Sequence, residues 1–168
     1  FSNAIGMSLL VSGSIRYRFY IQNGLSTTEV AKVVLFCTLS FWLGLLALTG
    51  VTLLLVPLPA SLPMASFSRP LGMLLILIPL TWIVAGGLRR QPLRIFRWQL
   101  RLPSFMVAVR QVLVGALDWG LAAAVLYVLM PDELDSGFAH FLAIFVIAQI
   151  AGLISHVPGG LGVFEAIM

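Results

Sequence analysis

The fold is decided by residues 33–56, which read VVLFCTLSFWLGLLALTGVTLLLV and contain no charged side chain. A helix of this length rises roughly 36 Å, which is enough to cross a hydrocarbon core about 30 Å thick. Prolines at positions 57, 59 and 63 follow. They end the helix because proline lacks the backbone donor and blocks the preceding turn. The stretch therefore predicts a membrane-spanning helix followed by a loop.

The composition of the whole chain agrees with a membrane location. Of the 168 residues, 60% are hydrophobic and only 10% are charged, whereas an average soluble domain is roughly 45–50% apolar and about 25% charged. A single core of this size cannot hide so much apolar surface, so a water-soluble globular domain is excluded. Disorder is excluded as well, since it requires low hydrophobicity. The one cysteine, Cys37, cannot form an internal disulfide and carries no signal about the redox compartment.

Three further apolar segments are predicted to span the membrane, namely residues 70–88, 104–130 and 138–157. The last of them ends at Pro158-Gly159-Gly160, a sequence that breaks a helix. Ser26 and Glu29 form a capping-box pattern before the first span. Partial helices are expected at residues 1–13 and from 162 onward. We therefore predict an all-α, polytopic transmembrane helical bundle with a Pro/Gly-broken helix, and expect residues 1–168 to be an internal fragment of a longer protein.

The basic residues predict the orientation of the spans. Half of the ten Lys and Arg residues lie between Arg89 and Arg101, and the positive-inside rule places this loop in the cytoplasm. The same rule places Arg16, Arg18 and Lys32 there, and it leaves Arg69 with the acidic residues at 132, 133 and 135 on the outer side.

The basic loop has two interpretations. On a helical projection Arg94, Arg97 and Arg101 fall within about 60° of each other, which predicts an interfacial helix whose arginines face lipid phosphates. Alternatively, the loop only fixes the topology. Nucleic-acid binding by this segment is not expected, because no recognisable binding module surrounds the arginines.

Two charged residues lie inside the third predicted span. An ionisable side chain at the bilayer centre costs at least about 2.5–3.5 kcal/mol and usually faces a bundle interior or a wet cavity. Arg110 and Asp118 lie about 12 Å apart along the helix and about 80° apart in projection, so they can line one cavity. Two alternatives stay open: Arg110 extends to the interface, and Asp118 hydrogen-bonds to another helix. Beside them, Ala116, Gly120 and Ala124 form a small-residue stripe that predicts close helix packing.

The break after the fourth span, SHVPGGLGVFE at 155–165, is the most informative stretch. Non-helical backbone at membrane depth is tolerated only where it is buried or lines a cavity. A helix starting near Gly162 would point its free N–H groups into that cavity and bind an anion, with Glu165 in its first turn. A plain loop is the competing interpretation. No pattern typical of metal ligands, a nucleotide cofactor or an activated nucleophile is present, so no catalytic residue, metal or cofactor is expected.

Several motifs point to a known family. They are SNAIG at 2–6, GSIRYRFY at 13–20, NGLS at 23–26, the pair Asp118-Trp119, and SHVPGGLGVFE at 155–165. Together they resemble the transmembrane region of the multiple peptide resistance factor family, which comprises bacterial aminoacyl-phosphatidylglycerol synthases and flippases. The resemblance runs along essentially the whole chain.

The resemblance implies a multi-pass domain of the bacterial inner (plasma) membrane that moves lysyl- or alanyl-phosphatidylglycerol to the outer leaflet. This lowers the negative surface charge and confers resistance to cationic antimicrobial peptides. It also implies a parent protein of the phosphatidylglycerol lysyltransferase type, whose C-terminal cytoplasmic domain uses aminoacyl-tRNA. Nothing in these residues resembles that domain. Arg16, Asp118 and Glu165 match charged positions of the family's flippase region.

These observations lead to one mechanistic hypothesis. Arg16 or Arg110, with backbone N–H groups of the break at Gly159, Gly160 and Gly162, would hold a lipid phosphate. Asp118 and Glu165 would receive the aminoacyl ammonium. The expected partners are anionic and aminoacylated phospholipids, and a homo-oligomer is left open. The alternatives are a membrane anchor for a soluble aminoacyl transferase and a transporter of a small polar solute.

Overall fold

A computed structural model describes residues 26–56, 65–88, 93–95, 98–100, 103–130, 137–155, 157 and 162–168. The described part contains five α-helices, a 3-10 turn at Ala65–Phe67 and one two-stranded hairpin. The helices are α1 (Thr27–Leu55), α2 (Ser68–Leu88), α3 (Phe105–Leu129), α4 (Phe138–Ile154) and α5 (Val163–Ile167), and the strands are β1 (Leu93–Ile95) and β2 (Trp98–Leu100). The chain divides into two compact units, one made of residues 1–39 and 144–168 and the other of residues 40–143.

Three of the helices are long and apolar enough to cross a membrane. Helices α1, α2 and α3 have 29, 21 and 25 residues, so each rises at least about 30 Å. Helix α4 has 17 residues and ends at Ile154, three residues before the end of the predicted fourth segment. These helices confirm the predicted all-α polytopic membrane bundle.

Glycines bring the backbones of the three long helices together within the unit of residues 40–143. A Cβ built on Gly44 would lie 2.5 Å from the Cα of Gly115, so α1 and α3 touch backbone to backbone there. A Cβ on Gly50 would lie 2.9 Å from the carbonyl oxygen of Gly72, which marks a second close contact between α1 and α2. Small residues permit such approach where no hydrophobic force drives helices together in lipid.

Helices α2 and α3 pack against each other near the ends that the basic loop connects. A Cβ on Gly86 would lie 2.7 Å from the carbonyl oxygen of Pro103 and 3.5 Å from the Cβ of Ala108. Further along the pair, the Trp82 indole Nε1 donates a 3.0 Å hydrogen bond to Oε1 of the buried Gln111. A polar contact of this kind between helices satisfies groups that lipid cannot.

The basic loop forms a hairpin, so the predicted interfacial helix is wrong. Strands β1 and β2 pair antiparallel, with Leu93 opposite Leu100, Arg94 opposite Gln99 and Ile95 opposite Trp98. The physical reason is the closeness of the two helix ends: a Cβ on Gly87 would lie 3.3 Å from the ring of Phe105. An antiparallel hairpin starts and ends at the same place, whereas a nine-residue helix would separate its ends by about 13 Å.

The small-residue stripe predicted on α3 packs only in part: α1 approaches it at Ala116, whose backbone nitrogen would lie 2.6 Å from a Cβ built on Gly44. A Cβ on Gly120 would meet nothing within 4 Å, so this glycine packs against no neighbour in the part of the chain that the structure describes. The packed face of α3 carries Ala108, Gln111, Val112, Gly115 and Ala123, which are all buried. The face is therefore rotated relative to the stripe, because Gly44 on α1 meets Gly115 rather than Gly120.

The unit made of residues 1–39 and 144–168 contains the start of α1 and the end of α4. The predicted capping box at Ser26 is confirmed: the Ser26 backbone N–H and hydroxyl donate to Glu29 Oε2 at 2.9 and 2.7 Å. In α4, Phe145, Val146 and Ala148 are buried. The Phe164 ring of α5 contacts the Phe145 ring edge to face, with centroids 5.9 Å apart.

Candidate functional site

The outward face of α3 carries two opposite charges among apolar side chains. Arg110 and Asp118 are both exposed, and so are Val114 (65%), Leu117 (64%) and Leu121 (66%). On a projection of 100° per residue these five positions fall within about 100° of one another. Arg110 and Asp118 therefore lie on one continuous face of the helix.

The packing of α3 is what turns these charges outward. The small or amide-bearing residues of its opposite face recur at helical spacing and contact α1 and α2. Gly115 meets Gly44, Gln111 accepts from Trp82, and the Trp119 Nε1 donates to the Phe41 carbonyl oxygen at 3.2 Å. Because that face packs against α1 and α2, Arg110 and Asp118 on the other side of α3 point away from the core of this unit.

Asp118 lies near the middle of the spanning helix. It is 13 residues from Phe105 and 11 residues from Leu129, which is about 20 Å and about 16 Å along the axis. Arg110 is about 8 Å from the start of the same helix. The arginine can therefore reach an interface along its own aliphatic stem, whereas the short aspartate cannot.

Neither charge is neutralised within the described part of the chain. No ion pair or side-chain hydrogen bond joins Arg110 or Asp118 to another described residue. A charged group at the centre of a bilayer costs at least about 2.5–3.5 kcal/mol unless it meets a partner or water. The α3 face is therefore the strongest candidate for a functional site among the described residues.

Helices α4 and α5, which flank the predicted helix break, contact each other. Phe145, which the Phe164 ring contacts, lies nine residues before the end of α4, or about 14 Å along its axis. Helix α5 thus lies beside the middle of α4 instead of continuing beyond its end. At the end of α4 the Ser155 hydroxyl donates to the Gly152 carbonyl oxygen at 2.8 Å.

Glu165 caps the helix that it belongs to. The Gly162 backbone N–H donates to Glu165 Oε2 at 2.7 Å, and Gly162 adopts a φ of 84° that glycine tolerates without strain. One N–H of the predicted anion site is thus already bonded within the chain. Helix α5 has only five residues, so its dipole offers little further attraction for an anion.

The structure groups the predicted site residues in two sets. Arg110 and Asp118 share the outward face of α3, in the unit of residues 40–143. Gly162 and Glu165 lie together at the start of α5, in the other unit. Arg16, Gly159 and Gly160 lie outside the described residues, so their assigned roles stay predictions.

The residues that orient the α3 face are the ones that sequence reasoning missed. Trp82, Gln111 and Trp119 bond across helices and fix which side of α3 is packed. A glutamine inside an apolar span is a recognisable signal for such a bond, but its partner depends on the fold. Within the described ranges, no group of three His, Cys, Asp or Glu residues could hold a metal ion.

Together, the helices and the charged face define a polytopic membrane protein that carries ionisable side chains on a helix long enough to span the membrane. No family model matches the chain. Its similarity to the uncharacterized protein slr0712 of Synechocystis sp. is 40% identity over 99% of this chain and 53% of that protein. The inner membrane protein YbhN of Escherichia coli is 29% identical over 96% of this chain and 52% of its own length.

Shorter similarities link the chain to lipid-modifying proteins. A phosphatidylglycerol lysyltransferase of Staphylococcus xylosus is 38% identical over 38% of this chain and 8% of its own length. That of Staphylococcus aureus strain MRSA252 is 33% identical over 52% of this chain and 11% of its length. The similarity to lysyltransferases thus covers part of the chain, not essentially all of it as the motifs suggested.

These comparisons support a multi-pass protein of the inner membrane. Both slr0712 and YbhN match nearly the whole chain, and the chain spans about half the length of each. The partial matches relate the chain loosely to the membrane regions of phosphatidylglycerol lysyltransferases.

Proposed function

We propose that the chain is part of an inner-membrane protein that moves aminoacylated phosphatidylglycerol between leaflets. The observation that carries the proposal is the placement of Arg110 and Asp118 on one exposed, otherwise apolar face of α3. Partial similarity to phosphatidylglycerol lysyltransferases supports the choice of lipid. In this proposal α3 lines a polar route for the headgroup, while the acyl chains stay in the bilayer.

The two charges would take complementary parts of the headgroup. The Arg110 guanidinium can donate paired hydrogen bonds to a phosphate, which is the geometry for which arginine is best suited. Asp118, deeper in the bilayer, would accept hydrogen bonds from the aminoacyl ammonium. Both ions then meet a partner at the moment when the headgroup leaves water, which lowers the cost of carrying it through hydrocarbon.

The outward position of the charges favours this function over a transporter of a small polar solute. A solute carrier needs its polar groups around a cavity closed to lipid, whereas the α3 face shows Val114, Leu117 and Leu121 exposed beside the charges. Lowering the surface charge against cationic peptides would be the physiological consequence of the proposed movement. We assign no catalytic residue to this chain.

The proposal is tested by neutralising each charge in the full-length protein. Asp118→Asn removes the charge and keeps the size of the side chain, and Arg110→Gln removes the charge and leaves a shorter polar side chain. We expect total aminoacyl-phosphatidylglycerol to stay constant while its outer-leaflet fraction falls towards that of cells lacking the protein. The measurement compares an amine-reactive reagent that does not cross the membrane with total lipid extraction.

A matched control is available at the start of α1. Glu29→Gln removes one carboxylate outside the α3 face and preserves the capping box, in which glutamine also serves. Outer-leaflet exposure should stay normal in this variant. Unchanged exposure in both α3 variants, at normal synthesis and protein level, would refute the proposal and favour a membrane anchor for a soluble transferase.

A further inference from the structure

We infer that the spacing of Arg110 and Asp118 selects headgroups whose phosphate and ammonium lie far apart, and discriminates against short zwitterionic headgroups such as that of phosphatidylethanolamine. The inference rests on the proposed function and adds a specificity that no comparison assigns. It follows from the distance between the two charges and from the apolar surface between them.

The distance between the charges is set by the helix. Eight residues separate the two Cα atoms by about 12 Å along the axis. Helical side chains lean towards the N-terminus, and the five bonds from Cα to the arginine guanidinium carbon outreach the two bonds to the aspartate carboxyl carbon by about 3–4 Å. The guanidinium and the carboxylate are therefore roughly 15 Å apart when both side chains are extended.

The exposed surface of α3 between the two charges is apolar. Leu113, Val114 and Leu117 lie between Arg110 and Asp118 on the exposed side of α3, with 56%, 65% and 64% of their surface accessible. A headgroup whose ammonium meets Asp118 either places its phosphate on Arg110 as well, or leaves that phosphate without a partner in hydrocarbon. The second arrangement is costly because an ion is left unsolvated.

Headgroup length then decides which lipids reach both charges. An extended chain covers about 1.2 Å per bond, so the four bonds between phosphorus and nitrogen in phosphatidylethanolamine span about 5 Å, and the eight bonds in alanyl-phosphatidylglycerol span about 10 Å. The twelve bonds to the side-chain ammonium of lysyl-phosphatidylglycerol span about 14 Å. With one hydrogen bond of about 3 Å at each end, the three lipids reach about 11, 16 and 20 Å. Only the aminoacylated lipids bridge roughly 15 Å.

The test measures transfer of acyl-labelled lipids by the purified full-length protein in liposomes. The lipids are alanyl-phosphatidylglycerol, phosphatidylethanolamine and phosphatidylglycerol, which carry the same fluorescent acyl chain, and transfer is followed by quenching of the outer leaflet. We expect alanyl-phosphatidylglycerol to move about tenfold faster than phosphatidylethanolamine, a ratio that corresponds to about 1.4 kcal/mol. Asp118→Asn should bring the two rates together.

A second variant keeps the charge and moves it along α3, with a rotation of about 40° about the helix axis. Combining Asp118→Asn with Ala122→Asp moves the carboxylate one turn further along the exposed side of α3, which lengthens the separation by about 6 Å. Alanyl-phosphatidylglycerol should then lose its advantage, because about 16 Å of reach no longer bridges about 21 Å. A preference that survives in this variant overturns the role of spacing.

The outcomes for the inference and for the proposed function differ. Equal transfer of phosphatidylethanolamine and alanyl-phosphatidylglycerol by the unmodified protein overturns the length selection and leaves lipid movement standing. Transfer of no lipid above the rate of protein-free liposomes overturns the proposed function, and the inference with it. The comparison of lipids uses the unmodified protein, so a variant that fails to fold does not prevent the decision.

Discussion

Substituting alanine for two glycines of α3, five residues apart, should shift stability in opposite directions. Gly115 lies against α1, where an added Cβ would meet the Ser40 carbonyl oxygen and come within 3.0 Å of the Gly44 Cα. Gly120 lies in open space, where the same Cβ would meet nothing within 4 Å. The chemical change is identical at the two positions, so any difference between the variants reports packing alone.

The magnitudes follow from helix propensity and from overpacking. Alanine is favoured over glycine inside a helix by about 0.8–1 kcal/mol, and this gain applies to both variants. Forcing an extra methyl group into a packed interface costs about 1–3 kcal/mol, and the upper part of that range applies where the obstacle is backbone. We expect Gly120→Ala to stabilise by up to about 1 kcal/mol and Gly115→Ala to destabilise by about 1–2 kcal/mol.

The assay is reversible unfolding of the full-length protein in mixed detergent and SDS micelles, followed by far-ultraviolet circular dichroism. The difference between the two variants in free energy of unfolding should be about 2–3 kcal/mol. Equal shifts in the two variants would show that Gly115 does not lie against α1, and would refute the close contact of α1 and α3. A larger loss for Gly120→Ala would place the packed face on the stripe that the sequence suggested.

Two further predictions concern the contacts that hold the helices. The Trp82 indole and the Gln111 amide bond across α2 and α3, so a double-mutant cycle with Trp82→Phe and Gln111→Leu should give a coupling energy of about 0.6 kcal/mol, and at most about 1.7. A coupling of zero in unfolding titrations would contradict that bond. The Phe145–Phe164 contact should hold α5 beside α4 with about 0.5–1.5 kcal/mol. With the exposed Cys37 replaced by serine, Phe164→Ala should therefore mobilise a spin label attached through Ala166→Cys. An unchanged spectrum, relative to the same label with Phe164 intact, would show that other contacts position α5.

The sequence predicts which residues of the candidate site matter, but not which way they face. The charges of Arg110 and Asp118 stand out because the residues around them are apolar, and helical spacing alone places them within reach of one cavity. Their outward position could not be predicted, since it depends on which face of α3 meets α1 and α2. The sequence places Glu165 in the first turn of its helix, but only the tertiary structure shows its bond to the Gly162 N–H.

In the basic loop, the local sequence pattern predicts the wrong secondary structure. A helical projection of residues 94–102 separates arginines from apolar residues, and an isolated segment with this pattern favours an interfacial helix. The contact of the α2 end with the α3 start, seen at Gly86 and Gly87, requires the chain to return to its starting point. A hairpin satisfies that requirement with few residues, so a constraint outside the segment overrides its local preference.

The sequence by itself determines that this protein is a membrane protein and which segments form its long helices. A long uncharged segment in hydrocarbon must satisfy its backbone hydrogen bonds internally, and a helix does so. It also determines where α1 begins, since Ser26 and Glu29 satisfy each other locally. Only the tertiary structure decides which glycine becomes a contact and which charges face outward. The packed side of a helix depends on its partner helix. In a membrane, the packed and the lipid-facing sides are both apolar, so hydrophobicity alone does not distinguish them in the sequence.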